Sequence, residues 1–413
     1  MVSTEIVLSA FLAISLLATI VSRHTKTPYT VVLVLTGILL AAASTPELVG
    51  VGQIFQNLRS EGLFVGLILP PLLFESMMSI KTEEFRAVSR AAIALATGGV
   101  VVATTVVGVI LWVFAGLPAY TAFLFAALIA PTDVATVLEV FSRTAVPSRL
   151  STLMETEAVF NDASGITILT VILSGFLAST SRLAILGAVG DGVFLFGGGV
   201  LVGLGVAWGA RQLQREIQDS LSQIVLTMAA VYGSYAVATA LGVSGLIAVA
   251  VTGLFYGNTV LFRIGRKDIE EATREFWNIL AFFANTVAFL FIGFSTNILS
   301  LGGSVTFILV AYCVVMLSRA VSVYPILSLP RMVVGGVPNS WKNVALLGGM
   351  RGALSIALVA SLPNTLPGYS TVVNMTFGVA VLSVLLQGPI MAEYVKRSFG
   401  RQQTLPETSA PSN

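Results

Sequence analysis

From one end of this 413-residue chain to the other, apolar stretches of about 18 or more residues recur, each long enough to cross the hydrocarbon of a bilayer as a helix. The stretches are continuous rather than alternating, which argues against a membrane β-barrel. Charge usage agrees: 10% of residues are charged, where a soluble protein carries about 25%. The expected fold is all-α and polytopic. The first stretch has no basic lead, and Glu5 is acidic, so it reads as a first transmembrane helix rather than a signal peptide.

Thirteen spans are expected, at 4–22, 28–45, 62–80, 91–115, 118–140, 151–176, 184–210, 221–241, 243–260, 276–298, 303–326, 344–363 and 370–392. Only Leu241 and Gly242 part spans 8 and 9. The basic residues test the count, because Lys and Arg collect in cytoplasmic loops. Odd-numbered loops and the C-terminal tail hold 18 of the 22; even-numbered loops hold only Arg59 and Arg182. The other two, Arg319 and Arg351, fall inside spans. This bias predicts a cell-membrane protein with its N-terminus outside and its C-terminus in the cytoplasm. Residues 1–395 form one membrane domain, followed by a short polar tail at 396–413. The segment RIGRKDIEEATREFW has charge at helical spacing and predicts a short amphipathic helix on the cytoplasmic surface. Gly199 and Gly203, at i and i+4, predict a close helix contact. Packing within the chain is favoured over a dimer seam.

One cysteine, Cys313, and one histidine, His24, exclude an intrachain disulfide and leave a zinc hydrolase without ligands. A Ser-His-Asp site lacks its base. No basic cluster suits nucleic acid. The chain does not read as an enzyme, and it implies no cofactor.

Six ionisable residues fall well inside spans: Glu75, Asp133, Glu157, Asp162, Arg319 and Arg351. Each costs roughly 2.5–3.5 kcal/mol at a helix centre. Four acids and two bases cannot all pair, so the unpaired acids are functional candidates. In ETEAVFND, Asp162 lies about 16 Å below the start of span 6 at 1.5 Å per residue, near the midplane. Glu157 and Asn161 share a face at i,i+4. Pro131, beside Thr132 and Asp133, interrupts span 5. Gly348, Gly349 and Gly352 weaken span 12 around Arg351. Two interrupted helices at corresponding positions suggest an inverted-repeat transporter, with halves at about 1–176 and 221–395. That repeat is inferred from position alone.

The stretches APTD (130–133), E-x-x-x-N-D (157–162), SRAVSVY (318–324) and GGMRGALSIAL (348–358), with LPPLLFES (69–76) and FWNILAFFANTVAFLFIG (276–293), resemble the sodium/proton exchangers of the monovalent cation:proton antiporter-1 family. The likeness runs to about residue 395 and is strongest to archaeal and bacterial members. It implies that Asp162 binds cation or proton, that Asn161 braces the site, and that Thr132 supplies an oxygen to Na⁺. It further implies that Glu157 pairs with Arg319, that Asp133 and Arg351 offset the helix ends at the two breaks, and that Glu75 completes the network with Arg351. A homodimer, in which a six-helix core moves against a dimerisation domain, is also implied. One position departs: the family usually has serine where Ala158 stands, one turn before Asp162.

The expected function is electroneutral Na⁺(Li⁺)/H⁺ antiport at one buried carboxylate, serving sodium extrusion and pH homeostasis. Na⁺ and Li⁺ are hard cations that want oxygen ligands. A K⁺/H⁺ antiporter is the nearest alternative, and Ala158 gives it weight. A cation channel without proton coupling belongs to a different class, and no TVGYG-like filter occurs.

Overall fold

The computed structural model describes residues 4–25, 27–43, 64–144, 146–177, 182–261, 266–294, 305–330 and 332–399, and they are helical apart from short connections and one isolated bridge. Lys26, Arg59, Arg263, Arg331, Arg401 and the tail from 400 lie outside the described residues. In chain order the helices are α1 (Thr4–Thr25), α2 (Tyr29–Ala43), α3 (Leu69–Ser79), α4 (Thr82–Val113), α5 (Ala119–Ile129), α6 (Ala135–Ser142), α7 (Ser148–Leu177) and α8 (Arg182–Leu213). There follow α9 (Ser220–Ala240), α10 (Gly245–Phe255), α11 (Lys267–Phe294), α12 (Val305–Ser328), α13 (Asn339–Leu347), α14 (Ala353–Ser361) and α15 (Tyr369–Phe399). Among the described residues, seven helices are long and apolar enough to cross a membrane by length and composition. Large apolar side chains point outward, among them Leu16 on α1, Trp112 on α4, Leu201 and Trp208 on α8, and Leu317 on α12. A surface this apolar is at home in lipid, not water.

The join between α9 and α10 is a true turn. Gly242 takes a φ of +70°, a conformation that favours glycine. The Ser244 side chain then accepts the Ile247 amide (3.3 Å) and caps α10. At the other end of α9, exposed Asp219 accepts the Ser222 amide (2.8 Å), which holds its carboxyl below the usual range.

Two sequence expectations need correction. Residues 267–275 are not a separate surface helix but the first turns of the continuous α11. Ile269, Thr273 and Trp277 are buried along one side, and the Trp277 indole donates to Thr227 Oγ1 at 2.9 Å, so the segment is packed rather than afloat. Helix α4 begins at Thr82, nine residues before the expected start at 91. Its first turns bury Val88, Ala91 and Ala92 and leave Glu83, Arg86 and Arg90 outward, which a search for continuous apolarity passes over.

Small residues let backbones meet. Helix α8 packs on α10 through Gly199 and Gly203, within the chain. A Cβ on Gly199 would lie 2.7 Å from Ser244 O and 3.0 Å from Ile247 Cβ; one on Gly197 would meet nothing within 4 Å. Opposite effects are expected from the same substitution. Gly197→Ala should gain about 0.5–1 kcal/mol from helix propensity. Gly199→Ala should lose about 1–3 kcal/mol by overpacking. Thermal unfolding in detergent reads both, and equal shifts would deny the tight contact.

One polar tie joins α6 to the start of α2. Glu139 accepts the amides of Tyr29 (2.5 Å) and Thr30 (3.3 Å), and Arg143 donates to both Glu139 (2.9 Å) and Ser22 Oγ (2.8 Å). Thr30 and Thr136 hydroxyls add a bond of 2.8 Å.

Candidate ion-binding site

Helix α5 stops where Pro131 has no N–H to donate, and its ring cannot sit over the preceding turn. Residues 130–134 are not helical, and α6 resumes at Ala135. Between α13 and α14, residues 348–352 likewise leave the helix. The two non-helical segments cross: Asp133 N donates to Met350 O at 2.8 Å, forming an isolated antiparallel bridge. Glycine is required where they touch, since a Cβ on Gly352 would fall on the Asp133 carboxylate. On α7, a Cβ on Gly165 would press into the Pro131 ring.

Such a crossing frees carbonyls and amides that lipid cannot satisfy. Arg351, fully buried, donates through Nη1 to Ala130 O (2.5 Å) and Pro131 O (3.0 Å) at the end of α5. Its own amide reaches Ser383 Oγ at 2.9 Å. Arg319 does the same for α13, donating to Ala345 O from Nε (3.1 Å) and Nη2 (3.0 Å). A cation at a helix C-terminus also meets the negative end of the dipole. The remaining face of Arg319 grips Glu157 bidentately, at 2.5 and 2.7 Å, and so joins α7 to α12. At the start of α6, Asp133 Oδ1 accepts the Ala135 amide at 2.8 Å.

Asn161 is fully buried, and its amide is committed to the crossing. Its Nδ2 donates to Thr132 Oγ1 (2.7 Å), and its Oδ1 receives the Thr132 amide (3.4 Å). Asp162, the next residue, is turned about 100° round α7 and lines a cavity of about 100 Å³. Thr132, Asp133, Glu75, Asn285 and Ser355 line it too, as does the methyl group of Ala158. No Lys, Arg or His is among the described residues that line it. Asp162 makes no hydrogen bond or ion pair within the described residues, and Asp133 is within electrostatic reach of it. A carboxylate, a hydroxyl and an amide oxygen around a small cavity can hold a hard monovalent cation.

The structure thus brings Asp162, Thr132, Asp133 and Glu75 to one cavity, with Asn161, Glu157, Arg319 and Arg351 behind its walls. The expected Glu75–Arg351 pairing is not formed. Arg351 is turned to carbonyls, while Glu75 takes the Ser79 hydroxyl (3.4 Å) with Arg274 as the cation acting on it. Asn285 and Ser355 were not singled out from the sequence. A polar residue in the middle of an apolar run, as in FFANTVAF, is the signal that would have found Asn285.

Residues 11–397 match the transmembrane sodium/hydrogen exchanger family. A Na⁺/H⁺ antiporter of Aphanothece halophytica is 32% identical over 399 residues, covering 95% of this chain and 74% of that one. The Na⁺/H⁺ antiporter NhaH of Halobacillus dabanensis is 31% identical, over 94% of this chain and 96% of its own. The sodium proton antiporter MjNhaP1 of Methanocaldococcus jannaschii superposes with a TM-score of 0.73 at 24% identity, over 95% of this chain and 98% of that one, which shows the fold. The chain is a multi-pass membrane protein belonging to the sodium/hydrogen exchanger family.

Proposed function

We propose that the protein exchanges Na⁺ or Li⁺ for H⁺ across the cell membrane, with Asp162 holding cation and proton in turn. The observation that carries this is the Asp162 side chain: it lines a cavity beside the crossed segments together with Thr132, Asp133, Glu75 and Asn285, and no cationic side chain is among the described residues of the wall. A buried carboxylate with a fixed partner could not change occupant. The relatives named as Na⁺/H⁺ antiporters support the same exchange.

In this reading α5 with α6, and α13 with α14, are two interrupted spans, and the chain crosses the membrane thirteen times. The halves near 1–176 and 221–395 are inverted repeats, and the N-terminus lies outside, as the basic residues favour. Alternating access moves the crossed segments against the remaining helices. The family resemblance alone supports a homodimer. Asn161 is neutral and tied to Thr132, so a single charge exchanges for a single charge and transport is electroneutral. Ala158 in the cavity wall favours one further possibility, K⁺ in place of Na⁺, because a methyl group offers the smaller ion no oxygen.

Proteoliposomes with an internal pH dye provide the test. Adding Na⁺ or Li⁺ outside should drive proton efflux, and valinomycin-imposed potentials should not change the rate. Cation flux without proton movement would make the protein a channel. A response to K⁺ alone would reassign the cation, and uptake driven by potential would refute one-for-one exchange.

A further inference from the structure

Ser355 sits in the first turn of α14, and its hydroxyl has no hydrogen-bond partner among the described residues although the residue is fully buried. The reason is local. A serine or threonine within a helix usually donates to the carbonyl four residues back, as Ser164 does to Phe160 O (3.2 Å) and Thr167 to Ala163 O (2.9 Å). For Ser355 that carbonyl belongs to Arg351, which lies in the non-helical crossing with Ser383 Oγ 3.4 Å away, a hydroxyl that donates chiefly to Ala380 O at 2.7 Å. A buried hydroxyl without a partner is rare, and this one belongs to a residue lining the cavity that Asp162 and Thr132 also line. The other wall is poorer in oxygen: in the turn before Asp162, the described lining from α7 is Ala158 and Val159.

We infer that Ser355 Oγ is an oxygen ligand of the transported cation, completing from α14 a shell that α7 leaves open at Ala158. The ion would then touch the first crossed segment through Thr132 and the helix that follows the second through Ser355, with Asp162 supplying the charge. The Asp133 carboxylate at Gly352 offsets the positive end of α14. A small hard cation has more hydration to replace than a larger one, so a missing oxygen ligand costs it more, and Ser355 would help the site hold Na⁺ and Li⁺.

This inference rests on the proposed antiport, and the test separates the two. Purified full-length protein in proteoliposomes is assayed for cation-dependent proton efflux with Na⁺, Li⁺ and K⁺. Ser355→Ala should raise KM for Na⁺ and Li⁺ about tenfold, the loss of one hydrogen-bond-strength contact to a charged group. KM for K⁺ should rise less, and Vmax should fall less than KM rises. Ser355→Thr, which keeps the hydroxyl, should stay near the parent. Adding Ala158→Ser to Ser355→Ala should recover Na⁺ affinity by supplying the oxygen from the other wall. An unchanged KM in Ser355→Ala, or an equal loss for all three cations with a matching fall in Vmax, would overturn the assignment. Absence of cation-dependent efflux in the parent protein would instead remove the antiport itself.

Discussion

Vesicles carrying Asp162→Asn are expected to show no sodium-driven proton movement above protein-free vesicles, while the purified variant unfolds at a temperature no lower than the parent. The two halves of this expectation come from the same observation. Asp162 makes no hydrogen bond or ion pair within the described residues, so nothing structural depends on its charge. An amide fills the same volume but cannot exchange a proton or neutralise a cation. An amide is less costly than a carboxylate in the membrane interior, so the change in stability should be neutral or favourable. Most inactivating substitutions in a core destabilise; this one should inactivate without doing so. Retained sodium-dependent flux would displace Asp162 from the site, and a large fall in unfolding temperature would mean that it has a structural partner.

The largest loss of stability is expected at the Glu157–Arg319 pair. Glu157→Gln leaves the Arg319 guanidinium buried without its counter-charge, at a cost of about 3–5 kcal/mol. Arg319→Met should cost more than Glu157→Gln, because Arg319 also satisfies Ala345 O at the end of α13 and that carbonyl would be orphaned along with the acid. The double variant should be more stable than the sum of the singles by at least about 2 kcal/mol, since no lone charge remains. Unfolding in detergent across the four proteins gives the coupling directly. Additive losses would mean that the two groups do not depend on each other, despite contacts of 2.5 and 2.7 Å.

Pro131 and the glycines flanking Arg351 mark in the primary structure where the chain leaves the helix, because their effects are local: a missing donor, a missing Cβ. The acids and bases inside apolar runs were equally visible, since lipid makes each of them conspicuous. What they bond to was not. Arg351 has the length to reach several groups, and its choice of Ala130 O and Pro131 O over Glu75 follows from the crossing of two segments more than 200 residues apart. Arg319 was legible as the partner of Glu157 only through family resemblance, and its second task, at Ala345 O, was not legible at all. Ser355 looks like any serine near a glycine until Arg351 O is seen to lie outside a helix. The extension of α4 back to Thr82 and the continuity of α11 were missed for a common reason. Helix ends that rise out of lipid lose the apolar signal before they lose the helix.

Arg351 is turned onto the Ala130 and Pro131 oxygens and Arg319 onto Ala345 O and Glu157, and no positive side chain is among the described residues of the cavity wall around Asp162. The described wall of the chamber therefore offers carboxylate oxygens and no ammonium or guanidinium group. Chloride and other anions are repelled by the same field that draws cations in. Discrimination by sign is thus finished before any discrimination by size begins, and the ligand oxygens have only to rank cations against one another and against the proton.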